Sequence, residues 1–307
     1  MRCLVSGASG FVGSHLVRQL VDAGHEVHAI VGPGSGGPPS EAMRIEADLR
    51  SGWPMLTKYD SIFHLAGLSS VGESFGEPVK YIESASRMAV ELGESALRQG
   101  VNPRVVLVSS GSIYDGHTSR PISENDSLAF TSPYAVSMNA AEAVAHYYMN
   151  RGLDWIVVRP FNHVGPGQRA GFIVSDLFRS LISASERGSR SILTGDLTTR
   201  RDYTDVRDVC RAYIALAEES MLPFSTFNVC SGVTVSGLEI WDEIVGALGY
   251  GSDLELVPDS SRFRPSDPKV MVGDPARIQE CVGWSPRISV AESIRSFVEQ
   301  SVRDGLR

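Results

Sequence analysis

Apolar positions along the first half of the chain fall into two alternating rhythms. Short continuous apolar runs occur near 2–7, 26–31, 43–46, 61–66, 104–110 and 154–159, and they read as strands. Between them lie longer stretches near 11–23, 77–99 and 133–150, where apolar residues recur at helical spacing. Strands alternating with helices predict a parallel sheet covered on both faces, because each crossover lays a helix against the sheet. The run Val105-Val106-Leu107-Val108 is apolar without interruption, as expected of a strand buried on both sides. After residue 160 the rhythm loosens. A helix near 171–186, a short strand near 191–193 and helices near 205–217, 236–248, 275–282 and 290–303 predict a smaller lobe over the C-terminal edge of the sheet. The expected fold is a doubly wound α/β sheet formed mainly by residues 1–163, with 204–232 contributing, and a smaller lobe formed mainly by 164–307.

Composition narrows this picture. The chain has 307 residues, 42% of them hydrophobic, and its mean hydropathy is near zero, as in water-soluble globular proteins. No apolar run is long enough to span a bilayer, so no membrane partner is expected. The chain enters its first strand directly, without a signal-peptide pattern. A net charge of −8 disfavours nucleic acid as a partner. Cys3, Cys210, Cys230 and Cys281 are widely spaced and the His residues show no ligand spacing, which predicts reduced thiols, a cytoplasmic location and no metal site. Gly32 to Pro39 can hold neither helix nor strand and reads as a loop. Only three Lys are present, Lys58, Lys80 and Lys269.

Gly7-Ala8-Ser9-Gly10-Phe11-Val12-Gly13 follows a predicted strand and opens a predicted helix. Gly7 permits the tight turn, Gly10 lets backbone approach a pyrophosphate, and Gly13 lets helix and sheet pack closely. In this context the motif predicts a dinucleotide site. Its GxxGxxG spacing resembles the short-chain dehydrogenase/reductase superfamily, extended branch, the NAD-dependent epimerases and dehydratases, which are built on a Rossmann sheet. By that resemblance Gly7, Ser9, Gly10, Phe11, Val12 and Gly13 would hold the cofactor pyrophosphate. Asp48 and Leu49 would contact adenine, and Leu65, Ala66 and Gly67 would lie beneath the cofactor. The family's acidic residue at the end of the second strand is replaced by Val31, so the choice between NAD and NADP loses its usual marker. No Arg follows to receive a 2′-phosphate, and NAD is the expected cofactor.

Ser109-Ser110-Gly111-Ser112-Ile113-Tyr114 and Ser132-Pro133-Tyr134-Ala135-Val136-Ser137-Met138 resemble the catalytic segments of the same family. The resemblance makes Ser110 the hydroxyl that bonds the reacting sugar oxygen and Tyr134 the acid–base that moves its proton. A Lys normally stands four residues after this Tyr, on the same helix face. Here the residue is Met138. Free tyrosine ionises near pH ~10, and a neighbouring ammonium favours the phenolate. Methionine supplies no such field. Sugar-nucleotide 4,6-dehydratases carry an Asp–Glu pair after the catalytic hydroxyl, and here Gly111 and Ser112 stand in those positions. Glu73, Asp115 and His163 are the candidates for C–H chemistry.

The C-terminal half resembles GDP-6-deoxy-4-keto-mannose reductases around Arg159–Gln168, Gly171–Asp176, Arg201–Asp208, Asn228–Gly232 and Arg264–Asp267. That resemblance implies that Asn162 donates to sugar-nucleotide phosphates, Arg201 and Arg264 clamp the pyrophosphate, and Phe172 lines the nucleotide pocket. Planar guanidinium groups suit that task. Met138 together with the missing Asp–Glu pair is similar to the UDP-N-acetylglucosamine 5,6-dehydratases of tunicamycin biosynthesis. The expected function is therefore redox-neutral 5,6-elimination from a UDP-N-acetylhexosamine. A 4-keto GDP-sugar reductase, a 4-epimerase and a non-catalytic nucleotide-sugar sensor are the alternatives. Helices near 77–99 and 133–150 pair across a dimer in this family, which implies a homodimer.

Overall fold

A computed structural model describes residues 1–37, 41–250, 254–262 and 268–305. A seven-stranded sheet, parallel throughout, dominates it. Its strands are β1 (Arg2–Ser6), β2 (Glu26–Val31), β3 (Met43–Glu46), β4 (Ser61–His64), β5 (Arg104–Val108), β6 (Trp155–Pro160) and β10 (Thr226–Val229). They run in the order β10-β6-β5-β4-β1-β2-β3. The strand order reverses between β1 and β4, which opens a crevice at their C-terminal ends where ligands of such sheets bind.

Helices cover both faces. On one face α1 (Phe11–Asp22) and α6 (Val206–Glu218) bury Leu16, Val17, Leu20, Val209 and Tyr213 against Val5, Phe63 and Val158. On the other, α3 (Pro78–Gln99) and α4 (Pro133–Met149) bury Met88, Leu92, Ala145 and Tyr148 against Leu4, Ile62 and Val157. The short helix α2 (Val71–Ser74) leads into α3 and is capped by Ser70, whose Oγ accepts from Glu73 N at 3.2 Å. Except for β10 and α2, which the pattern did not reveal, these elements lie within a few residues of the predicted ones. The uninterrupted burial of β5 and β6 explains why their sequences do not alternate.

A second apolar cluster gathers α5 (Ile173–Arg187), α7 (Gly237–Leu248) and α9 (Val290–Arg303) around Phe178, Trp241 and Phe297. Here the strands depart from expectation. Strand β8 (Ser191–Thr194) is present as predicted, but it pairs with β12 (Glu255–Pro258), which the pattern did not reveal. A further small sheet joins β7 (Asn162–Val164), β9 (Arg200–Asp205), β11 (Thr234–Ser236) and β13 (Val270–Met271). Strand β9 escaped prediction because it is so polar. Its Asp202 is fully buried and accepts from Ser231 N at 2.8 Å, Ser231 Oγ at 2.7 Å, Gly232 N at 2.9 Å and Gly273 N at 3.2 Å. Burial raises the Asp202 pKa, and these donors oppose the rise. The predicted helix near 275–282 is α8 (Ala276–Val282).

All four cysteines are free thiols. Burial lifts Cys3 to about 12 and pushes Cys210 and Cys230 up as well. The unfolded chain ionises these thiols first, so their contribution to stability is intact below about pH 8.5 and falls as pH climbs toward 12. Thermal melts followed by circular dichroism should show a midpoint level through neutral pH and declining above about pH 9. Replacing Cys210 by Ala should flatten that decline.

Candidate active site

The C-terminal end of β1 turns into the glycine motif under tight geometric control. Gly7 has φ +69°, and a Cβ there would lie 2.9 Å from Ala66 N. At Gly13 a Cβ would lie 2.1 Å from Gly7 O, an overlap that no local adjustment relieves. Gly10 N bonds Gly7 O at 2.9 Å and Gly10 caps α1, whose first turn (Phe11, Val12, Gly13) carries no acidic residue. Orphan N–H groups at such a helix start favour an anion. Ser9 completes the turn. Ser6, just before it, was not anticipated. Its Oγ accepts from Leu65 N and Ala66 N, both at 3.2 Å, and pairs with His64 Nδ1 at 2.8 Å. This buried hydroxyl ties the turn to the end of β4, and Gly67 follows, exposed, at the mouth. Burial lowers the His64 pKa to about 4, so its ring is neutral there. The cradle fits a dinucleotide pyrophosphate.

Asp48 is engaged by Arg50, with Nε at 2.9 Å and Nη2 at 2.7 Å. These bonds hold the carboxyl at about 2. Leu49 is buried in the core beside Trp53 and Leu92.

Ser110 lies beyond the end of β5 and Tyr134 in the first turn of α4. Ser132 caps that helix, its Oγ accepting from Ala135 N at 3.1 Å, and Pro133 occupies the first turn. The Tyr134 hydroxyl faces Ser110, close enough for that hydroxyl to lower its pKa. Ser110 Oγ accepts from Ser112 N at 3.1 Å and lies 2.8 Å from Ser112 Oγ. Tyr134 is pushed above the usual tyrosine range by burial, the Ser110 hydroxyl opposes this, and Tyr81 of α3 adds to it. None of these influences is a cation. Met138 is buried, and its side chain packs with Ala85, Ile113 and Ala141 beside Tyr134. An apolar niche thus occupies the place from which an ammonium would act.

Gly111 explains itself sterically. A Cβ there would stand 2.9 Å from the Phe161 ring, so no carboxylate side chain fits without displacing that ring. Ser112 is exposed, with its hydroxyl toward Ser110. Behind these residues runs a buried polar chain. Arg159 binds Glu142 through Nε at 3.0 Å and Nη2 at 2.6 Å, and Arg159 Nη1 donates to the Tyr114 hydroxyl at 2.9 Å. Tyr114 in turn donates to Asn228 Oδ1 at 2.7 Å, which reaches β10.

Of the three candidates for C–H chemistry, Glu73 is exposed in α2, and its charge helps to raise the pKa of Tyr81 on α3. Asp115 is exposed beyond Tyr114. His163 donates Nδ1 to Phe161 O at 3.2 Å, and its ring stacks on Phe11 at 5.9 Å, so it faces the glycine turn. Burial lowers its pKa, and the Phe161 bond opposes that.

Asn162 stands exposed at the start of β7, and Phe172, 40% exposed, caps α5. Arg201 lies in β9, with Nη1 donating to Arg200 O at 2.9 Å. Arg264 lies outside the described residues. The cofactor turn, the Ser110–Tyr134–Met138 group and the start of β7 thus all sit at the C-terminal ends of β1, β5 and β6. A cavity lined by Arg104, Trp155 and Phe224 lies at the opposite end of β5 and β6 and is unconnected with them.

Comparison with known proteins agrees with this geometry. Residues 3–230 match the NAD dependent epimerase/dehydratase family. A GDP-6-deoxy-D-mannose reductase of Pseudomonas aeruginosa is 31% identical over 99% of both chains. A UDP-glucose 4-epimerase of Mycolicibacterium smegmatis is 32% identical over 97% of this chain and 98% of its own. Among solved structures, TunA, an NAD-dependent NDP-hexosamine 5,6-dehydratase involved in tunicamycin biosynthesis, superposes with a TM-score of 0.85 at 27% identity, covering 98% of this chain and 97% of that one. The chain belongs to the NAD dependent epimerase/dehydratase family of nucleotide-sugar enzymes.

Proposed function

We propose that the protein is a redox-neutral nucleotide-sugar dehydratase that removes water across C5 and C6 of a UDP-N-acetylhexosamine, with UDP-N-acetylglucosamine as the leading substrate. The observation that carries this reading is the apolar niche of Met138 beside Tyr134, together with the steric exclusion of a carboxylate at position 111. The likeness to TunA supports it.

In this reading residues 1–163, with 204–232, hold the cofactor, and 164–307 hold most of the sugar nucleotide. Gly7, Ser9, Gly10, Phe11, Val12 and Gly13 bind the pyrophosphate, and Asp48, Leu49, Leu65, Ala66 and Gly67 flank adenine and the ribose. NAD, when bound, supplies a hydride acceptor that returns the hydride it took. Ser110 orients the C4 hydroxyl. Tyr134 takes that proton in its phenolate form and later restores it as the phenol; with burial raising its pKa and Met138 supplying no field, the phenolate is a small fraction at neutral pH. With C4 at the ketone level the C5 proton is acidic. A base removes it, and the C6 hydroxyl leaves as water with a proton from an acid. Glu73 is assigned the C5 proton, as the candidate whose charge acts on Tyr81, the group that in turn acts on Tyr134. Asn162, Arg201, Arg264 and Phe172 are assigned to the nucleotide. Exposed Val79, Val90 and Tyr147 on α3 and α4 support a homodimer through that helix pair.

Glu73→Gln should lower dehydration about a hundredfold or more while leaving NAD affinity unchanged, as expected for loss of a general base. A 4-epimerase is the second reading, favoured by the UDP-glucose 4-epimerase relative and by the lack of carboxylates at 111 and 112. Incubating the protein with UDP-N-acetylglucosamine, without added cofactor, separates the two by mass spectrometry. Loss of one water supports elimination. An unchanged mass with inverted C4 by NMR supports epimerisation, and no product from the UDP-sugar with oxidation of NADPH by a 4-keto GDP-sugar would overturn both.

A further inference from the structure

One cation reaches the cofactor turn from the other half of the chain. Arg169 lies on the loop between β7 and α5, and its Nη2 donates to Ser9 O, inside the glycine turn, at 3.1 Å. The loop that carries it is fixed against the turn at several points. His15 Nε2 donates to Pro166 O at 2.8 Å, Gln168 Nε2 donates to His163 O at 2.9 Å, and the His163 ring stacks on Phe11 with an interplanar angle of 15°. Ser175 Oγ also donates to the Arg169 carbonyl, which fixes the backbone at that residue. Arg169 is exposed, and among the described residues it forms no ion pair. The first turn of α1, which it overlooks, carries no acidic side chain either.

A guanidinium has five N–H donors, and only one is occupied by Ser9. The rest belong to a charge with no carboxylate partner, beside backbone N–H groups that already favour an anion. Arginine meets diphosphate oxygens through paired, charge-assisted bonds. The bond to a backbone carbonyl leaves the charge unneutralised and sets the fork at the turn. An ordinary surface arginine would gain as much from any exposed carbonyl, but it would not need a loop clamped by His15, Gln168 and His163 to place it there.

We propose that Arg169 completes the cofactor pyrophosphate site, so that the C-terminal lobe clasps the dinucleotide that the Rossmann sheet cradles. The clasp makes the cofactor resident, because release requires the loop to part from the turn. This does not depend on which reaction the site performs, since both elimination and epimerisation need the same bound cofactor.

The test measures NAD and ADP-ribose affinity by displacement of etheno-NAD from the purified protein, in wild type, Arg169→Gln and Arg169→Lys. The glutamine variant retains a donor for Ser9 O but loses the charge. NAD and ADP-ribose affinity should each fall roughly tenfold or more in Arg169→Gln and less in Arg169→Lys, as for loss of a hydrogen bond to a charged group. The wild-type affinity should weaken with added salt more steeply than that of Arg169→Gln. NAD affinity within twofold of wild type in Arg169→Gln would overturn the proposal. So would an equal loss in Arg169→Lys accompanied by a lowered melting temperature, because the guanidinium would then be holding the loop and not the ligand.

Discussion

Met138→Lys should move the alkaline dependence of turnover to lower pH by roughly two to three units, which is about 3–4 kcal/mol of differential stabilisation of the phenolate. Tyr134 is held above the usual tyrosine range by burial, and no cation counters this. An ammonium placed in the niche of Ala85, Ile113 and Ala141 would lie on the same helix face as the phenol, one turn away. It would favour the ionised form, so the fraction of Tyr134 competent to take the C4 proton at pH 7 would rise by about a hundredfold or more. The pH–rate profile, read with the product ratio, checks this. A profile and product identical to wild type would show that position 138 does not govern the phenol. A modest fall in melting temperature is also expected, since the niche is apolar and the new charge has one phenol as its partner.

Glu142→Ala carries the largest expected effect on stability. Arg159 and Glu142 have side chains only 6% and 4% exposed and meet at 2.6 Å. Burial works against the Arg159 charge, and Glu142 more than offsets it, so the guanidinium stays ionised. Removing the carboxylate leaves that charge buried and unpaired, at a cost of about 3–5 kcal/mol. For a chain of this size the melting temperature should fall on the order of ten degrees. Because the same guanidinium holds Tyr114, and Tyr114 holds Asn228 of β10, the loss should also loosen α4, which carries Tyr134. Replacing both partners at once, Arg159→Met with Glu142→Leu, should recover most of the stability, because no unpaired charge remains. Differential scanning calorimetry of the single and double variants decides it. A double variant as unstable as the single one would locate the effect in packing and not in charge.

How much of this was legible in the sequence follows from where each signal lies. Most of the Rossmann half could be read because strands such as β1, β4, β5 and β6 are buried on both sides and helices α1 and α3 are amphipathic, so the pattern reports the environment directly. The glycine turn and the Ser110 and Tyr134 segments are local, and their spacing carries over intact. Strand β9 could not be read, because the residues that face inward include Asp202, whose burial is compensated by donors from 231–232 and 273. Strand β10 is four residues long and buries Asn228. The site contained contacts that no local pattern encodes. Ser6 meets His64 across two strands, Tyr81 acts on Tyr134 from another helix, and Arg169 reaches Ser9 from 160 residues away. The reason Gly111 carries no acid likewise lies in Phe161, fifty residues further along the chain.

Redox-neutral elimination is the central claim, and isotope tracing tests it most directly. UDP-N-acetylglucosamine carrying deuterium at C4 should be converted, without added cofactor, to a product that has lost one water and kept its deuterium, since the hydride removed from C4 is the one returned. Deuterium lost from the sugar, or a product formed only with stoichiometric NADPH, would contradict the account.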